Sequence, residues 1–156
     1  MKLELDGHDE VAVGTHADDV ADALAQPGEL LGILDGMLRP TSTPERWVVA
    51  EIHAGPVRIT PAVDVDVERP EGRRVLIVGR PVDGHTPAHL DLTLVVHAHD
   101  TPRASTIASR WDVTVDVPGP QLLVATVRPL MVASSRSVTR QLADRLRRRF
   151  DHPPSQ

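Results

Sequence analysis

The chain has 156 residues, with 17 Lys+Arg against 22 Asp+Glu for a net charge of -5, and contains no cysteine and no tyrosine. That length is enough for one domain that buries roughly two-thirds of its unfolded surface, and the reading is a single domain over 1–150 with a frayed tail at 151–156. The missing residue types exclude disulfides, thiolate metal sites, a cysteine nucleophile and tyrosine acid–base chemistry. Trp47, Trp111 and Phe150 are the whole aromatic complement, too few for a stacking platform for single-stranded nucleic acid. The mild acidity argues against a general phosphate-binding surface, so no nucleic-acid partner is expected.

In chain order, Leu3, Leu5, Val11 and Val13 alternate through a first strand over residues 2–14, with Gly7 marking a bulge. Thr15 is the expected N-cap of a following helix, with Asp18 in the capping-box position and Val20, Ala21, Leu24 and Ala25 as its apolar face. Pro27-Gly28 ends that helix, and Glu29 to Leu34 reads as a second short one closing at Gly36. The acidic trio Asp18, Asp19 and Asp22 suits the positive end of the first helix and reads as structural.

From Arg46 to Asp116 the pattern is β throughout, about five antiparallel strands. In the segment 46–54, Val48, Ala50, Ile52 and Ala54 are expected to face the interior, leaving Trp47, Val49, Glu51 and His53 outward. Val57, Ile59, Val63, Val65 and Val67 then alternate with polar residues, and Pro61 places this strand at an edge or a bulge. Leu90, Leu92, Leu94, Val96 and Ala98 form the inner face of a later strand. Ile107, Trp111, Val113 and Val115 do so in the last, with Ser105 and Ser109 on the same parity. Beyond Val117-Pro118-Gly119-Pro120 the apolar spacing becomes helical. A helix over 121–149 would be about 43 Å long, with Pro129 producing a kink or a separate short helix before the main one.

A curved antiparallel sheet wrapped around a long C-terminal helix, with two short helices after the first strand, is an α+β helix-grip arrangement. The space between sheet and helix is a natural pocket. Its expected lining is Trp111, Ser109, Ser105, Ile107, Val113, Leu92 and Leu94 from the strands, with Met37, Leu130 and Met131 from the helical segments. A serine hydroxyl there bonds either a ligand carbonyl or the protein backbone. His97-x-His99 and His85-x3-His89 lack a third ligand, so no metal and no cofactor is expected. No nucleophile elbow, phosphate loop or zinc-protease motif is present.

Six arginines and one aspartate give 136–149 a net charge of +5, which leaves -10 for the rest of the chain. Arg140, Arg145, Arg147, Arg148 and Arg149 are therefore candidates to face an acidic protein partner or an anionic membrane. Met1 to Asp6 turns acidic where a secretory signal needs an apolar run. No stretch approaches the roughly 18–20 apolar residues of a membrane span. The expectation is a cytoplasmic protein, at most peripheral at the inner membrane surface.

This order of elements resembles the helix-grip fold of START and birch-pollen-allergen-like proteins, the SRPBCC superfamily. Within it the chain is most similar to the CoxG family, associated with carbon monoxide dehydrogenase. The resembling residues are Val11-Ala12-Val13 leading into Val20-Ala21-Asp22-Ala23-Leu24 with Pro27-Gly28-Glu29-Leu30 after it, then Ala54-Gly55-Pro56-Val57, then Arg110-Trp111-Asp112-Val113-Thr114-Val115 with Gly119. The pattern departs at Asp35-Gly36 and at Thr60 to Ala62. The resemblance implies binding of a hydrophobic small molecule (lipid, quinone or polyketide-like) by a carrier or accessory protein, with a link to a molybdenum hydroxylase. An alternative it also implies is a polyketide cyclase, dehydratase or aromatase-type enzyme, for which Arg80, Arg110, Ser109 and the Glu51/His53 pair are the candidate polar groups.

Overall fold

A computed structural model describes residues 2–34, 39–41, 46–48, 52–54, 57–101, 103–116 and 121–151. Its elements are β1 (Lys2–Val13), α1 (Ala17–Leu24), α2 (Pro27–Leu34), β2 (Arg39–Pro40), β3 (Arg46–Val48), β4 (Ile52–Ala54), β5 (Val57–Ile59), β6 (Ala62–Glu71), β7 (Arg74–Pro81), β8 (Ala88–Ala98), β9 (Ser105–Asp116) and α3 (Gln121–Asp151). Seven strands form one antiparallel sheet in the order β1-β9-β8-β7-β6-β3-β2, and β4 and β5 pair separately. The curved sheet, the early helix pair and the long last helix are the α+β helix-grip arrangement expected from the sequence.

The alternation of the long strands sets their faces. Leu90, Leu92, Leu94 and Val96 of β8 are buried beside Ile107, Trp111, Val113 and Val115 of β9, while His89, Asp91, Arg110 and Asp112 are exposed on the convex side. Cross-strand register puts Gly7, Trp111, Leu92, Ile77 and Val67 on one rung of the concave face, and Leu5, Val113, Leu90, Gly79 and Val65 on the next. At Gly79 an added Cβ would lie 2.8 Å from Val63 Cγ2, so glycine is what allows Val63 and Leu90 to close over that rung.

The helices seal one end of this face. Val20, Ala21 and Leu24 of α1 and Leu30, Ile33 and Leu34 of α2 join Leu142, Ala143, Leu146 and Phe150 of α3 in the core. Burying one such leucine contributes about 1.5–3 kcal/mol. Pro27 is the first residue of α2, where its missing N–H costs nothing.

Several local expectations change. The N-cap of α1 is His16, whose Nδ1 accepts from the Asp18 amide at 3.2 Å, and not Thr15. Thr15 instead donates its hydroxyl to the Phe150 carbonyl, a contact between residues too far apart in sequence for a local pattern to suggest. Asp18 and Asp22 are taken up by arginines of the β6–β7 hairpin, Asp18 by Arg73 at 3.0 Å and Asp22 by Arg69 at 2.7 Å. Gly7 makes no bulge, because β1 pairs with β9 in unbroken register from Lys2↔Asp116 to Val13↔Ser105.

Pro61 divides the expected strand into β5 and β6, which lie in different sheets, and β6 is paired on both sides rather than at an edge. Residues 46–54 likewise split into β3 and β4, and Trp47 is buried in the core, against the outward face expected for it. α3 continues as one helix through Pro129, with no separate short helix before it. It extends to Asp151, whose carboxylate accepts the Gly14 amide at 2.8 Å, so Asp151 belongs to the helix; the rest of the expected tail lies outside the described residues.

Candidate functional site

α3 is fixed against β1 at two levels. Its last turn is held by the Thr15–Phe150 and Gly14–Asp151 hydrogen bonds. Further back along the helix, Trp111 Nε1 donates to Thr139 Oγ1 at 3.0 Å directly over Gly7. A Cβ on Gly7 would overlap both Thr139 Oγ1 and the indole nitrogen, so the bare backbone at this position is what lets strand and helix meet. α3 therefore runs in the direction of β1, and its first half lies toward the Leu3–Leu5 end of the concave face.

The concave face between those elements is nearly free of chemistry among the described residues. Ser105 and Ser109 are its buried polar side chains. Ser105 donates to the Thr15 carbonyl at 2.8 Å and Ser109 to the Asp9 carbonyl at 3.4 Å. No buried side-chain nitrogen or oxygen among the described residues lacks a hydrogen-bond partner. The ionisable groups whose affinities shift sit in exposed ion pairs. The Arg73 guanidinium lowers the Asp18 pKa, Arg46 that of Asp64, and Arg149 that of Glu29, in each case chiefly by hydrogen bonding. Among the described residues no group of three or more His, Asp or Glu side chains is placed to hold a metal ion.

The residues expected to line the pocket fall into two groups. Trp111 and Val113 retain 6% and 7% of their exposure, whereas Ile107 and Leu94, under the helix end, retain 0% and 1%. Leu92 sits between them on the Trp111 rung. Met37 lies outside the described residues, as do the side chains of Leu130 and Met131. Of the polar candidates for catalysis, Arg80 and Arg110 are exposed on the convex side, away from the interior. Glu51 and the side chain of His53 lie outside the described residues.

The arginines of α3 also divide. Arg145 donates to the Ile33 carbonyl at 2.9 Å, and Arg149 grips Glu29 through Nε at 3.0 Å and a terminal nitrogen at 2.8 Å. These two hold α3 to α2. Arg147 reaches Asp144 at 3.5 Å, and Arg148 is exposed. Arg140 lines an open surface cleft of about 510 Å³ between β1 and α3, which no sequence pattern pointed to. One wall of it carries Asp6, His8 and Asp9; the other carries Arg136, Thr139 and Arg140. Helical spacing alone places Arg136 and Arg140 together, but nothing local tells which strand they face.

No protein-family model and no curated protein matches the chain. Solved structures do resemble it. A START superfamily protein from Mycobacterium smegmatis aligns over 94% of this chain and 99% of its own, at 14% identity and a TM-score of 0.53. Norcoclaurine synthase from Thalictrum flavum aligns over 95% of this chain and 94% of its own, at 18% identity and a TM-score of 0.54. An aromatase/cyclase from a Streptomyces species aligns over 94% and 96%, at 12% identity and a TM-score of 0.50. At such identities the likeness establishes the fold, which is the START-like helix-grip fold.

Proposed function

We propose that this protein holds a hydrophobic small molecule between the concave sheet face and α3, as a carrier or accessory protein. The observation that carries the reading is the chemistry of that face. It presents aliphatic side chains and Trp111, and its polar groups among the described residues are already bonded to protein. Such a surface offers apolar area to a ligand and no reacting group. Trp111, Val113 and Leu92 are the lining residues this reading favours on the sheet, and Leu130, Met131 and Met37 are its candidates from the helical segments. Ile107, Leu94, Ser105 and Ser109 support the wall behind it. A lipid, a quinone or a polyketide-like compound fits the class, and the link to a molybdenum hydroxylase rests on the sequence resemblance.

Native mass spectrometry with solvent extraction of the purified protein tests this. The expected result is an apolar compound bound at up to one per chain, or saturable uptake of one that is supplied. An unliganded mass together with no uptake of any apolar compound would remove the carrier reading.

A second reading is an enzyme of the polyketide cyclase or aromatase type. It draws on the fold shared with a Streptomyces aromatase/cyclase and with norcoclaurine synthase. With Arg80 and Arg110 on the convex side and Ser109 bonded to a carbonyl, Glu51 and His53 would have to carry that chemistry.

The basic end of α3 supports docking of the carrier to an anionic membrane or an acidic partner. Arg147 and Arg148 are the outward-facing groups there, while Arg145 and Arg149 serve α2. Each basic side chain beside a charged surface contributes about 1 kcal/mol. No helix among the described residues is long and apolar enough to cross a membrane.

A further inference from the structure

β1 is the end strand of the seven-stranded sheet, so one side of its backbone has no neighbouring strand among the described residues. The register says which groups lie on that side. His99 N–H bonds the Ala104 carbonyl and Asp116 N–H the Pro87 carbonyl, so the even positions of β9 turn toward β8. The odd positions of β9 therefore bond β1, and they stand opposite the odd positions of β1, from Leu3↔Val115 to Val13↔Ser105. The N–H and C=O groups of Glu4, Asp6, His8 and Glu10 consequently point away from the sheet.

Toward the end of β1 the protein closes this edge itself. Glu10 N–H donates to the Asp9 carboxylate at 2.7 Å, and Gly14 N–H to Asp151 at 2.8 Å. The amides of Asp6 and His8 have no such partner among the described residues, and these residues border the cleft beside α3. An unpaired edge of this kind is a template for another strand.

Arg136 and Arg140 border the same cleft, both exposed and without an ion pair among the described residues. Four residues of helix span about 6 Å, and α3 runs in the direction of β1. Alternate residues of an extended strand are about 6.6–6.8 Å apart. A strand laid along β1 would therefore bring every second side chain to one of these arginines. Its other side chains would fall on the convex side, where Asp6 and Glu10 already carry negative charge.

We propose that the open edge of β1 takes up an extended peptide segment of a partner protein as an added strand. Carboxylates two residues apart meet Arg136 and Arg140, and the residues between them are uncharged or basic. Main-chain hydrogen bonds at Asp6 and His8 hold the segment, and the arginine pair selects it. The site is separate from the apolar interior.

The probe is a terminally blocked hexapeptide of alternating glutamate and threonine, titrated into the full chain at low salt. Proton–nitrogen NMR and amide hydrogen exchange follow it. The expected result is saturable binding, with exchange at the Asp6 and His8 amides slowed about tenfold. Two N-methylated forms separate strand addition from charge attraction. One is methylated at every threonine amide and the other at every glutamate amide; the charge is unchanged, but only one set faces β1. One form should bind about tenfold more weakly, and the other like the parent peptide. Arg136→Gln and Arg140→Gln, both surface substitutions, should each weaken binding about fivefold. Equal binding of both methylated forms would reduce the site to an anion patch and overturn the proposal. So would unchanged exchange at Asp6 and His8 under saturating peptide. Protection of those amides by self-association, seen in sedimentation without peptide, would give the edge to a second copy and overturn it too.

Discussion

The indole N–H of Trp111 is satisfied by the hydroxyl of Thr139 at 3.0 Å, and Gly7 lies beneath both. Three residues from β9, α3 and β1 thus meet at a point where one extra carbon does not fit. Gly7→Ala should destabilise the fold by about 1–3 kcal/mol, the usual cost of overpacking a close contact. Urea unfolding followed by tryptophan fluorescence measures it. A loss within a few tenths of a kcal/mol would mean that α3 can move off β1 at low cost.

Thr139→Val keeps the shape of the side chain and removes the acceptor. It should cost about 1–3 kcal/mol if the indole nitrogen is left buried without a partner. Trp111→Phe removes the donor, so in the Trp111→Phe background the effect of Thr139→Val should shrink. A double-mutant cycle reads this coupling directly. Additive effects would show that the hydrogen bond contributes nothing to holding α3.

The Glu29–Arg149 pair links α2 to α3. Hydrogen bonding to Arg149 lowers the Glu29 pKa from its ordinary 4.5. A carboxylate with a lowered folded-state pKa contributes stability above its unfolded pKa and loses it as pH falls through the folded value. Melting temperatures should therefore decline as pH drops below about 4.5, the ordinary Glu29 value. Asp18 and Asp64 add to this fall through their arginine partners. Glu29→Gln should flatten part of that decline. The pair is substantially exposed, so its share is a fraction of a kcal/mol after solvent screening, roughly 0.2–1 at most. An unchanged acid profile in the variant would assign the decline to other carboxylates.

The convex face carries a strain of another kind. Asp6 faces Asp112, and Asp112 faces Asp91, so three exposed carboxylates stand on one rung of β1, β9 and β8. Like charges directly opposite on antiparallel strands are unfavourable by about 0.2–1 kcal/mol. Asp112→Asn should raise the melting temperature at low ionic strength, and added salt should erase the difference. Destabilisation by this substitution would show that Asp112 makes a favourable interaction in solution.

The strand alternation made most of this architecture legible. Parity along β8 and β9 placed Leu92, Leu94, Trp111 and Ser109 on the inner face because a half-buried strand has a fixed period of two. Parity says which way a side chain points and not what stands across from it. Gly7 therefore reads as a bulge, when its reason is an indole from β9 and a threonine from α3. Thr15 reads as a cap for the same reason. Its partner is the carbonyl of Phe150 at the other end of the chain, and that tertiary bond outweighs the local capping preference. Trp47 is misplaced by pattern alone because Val48, Ala50, Ile52 and Ala54 look like one continuous apolar face, whereas β3 and β4 belong to different sheets. The charged cleft is invisible in sequence, since its two walls come from residues 6–9 and 136–140.

Uptake of an apolar molecule in the space beside Trp111 is the claim on which the carrier reading stands. Trp47→Phe leaves Trp111 as the sole tryptophan, so energy transfer from it to the apolar dye anilinonaphthalene sulfonate reports binding at that position. The expected result is saturable transfer at one dye per folded chain, displaced by a long-chain fatty acid and weakened by Leu92→Phe, which fills the same rung. Transfer that appears only as the protein unfolds, or dye binding that a fatty acid does not displace, would contradict it.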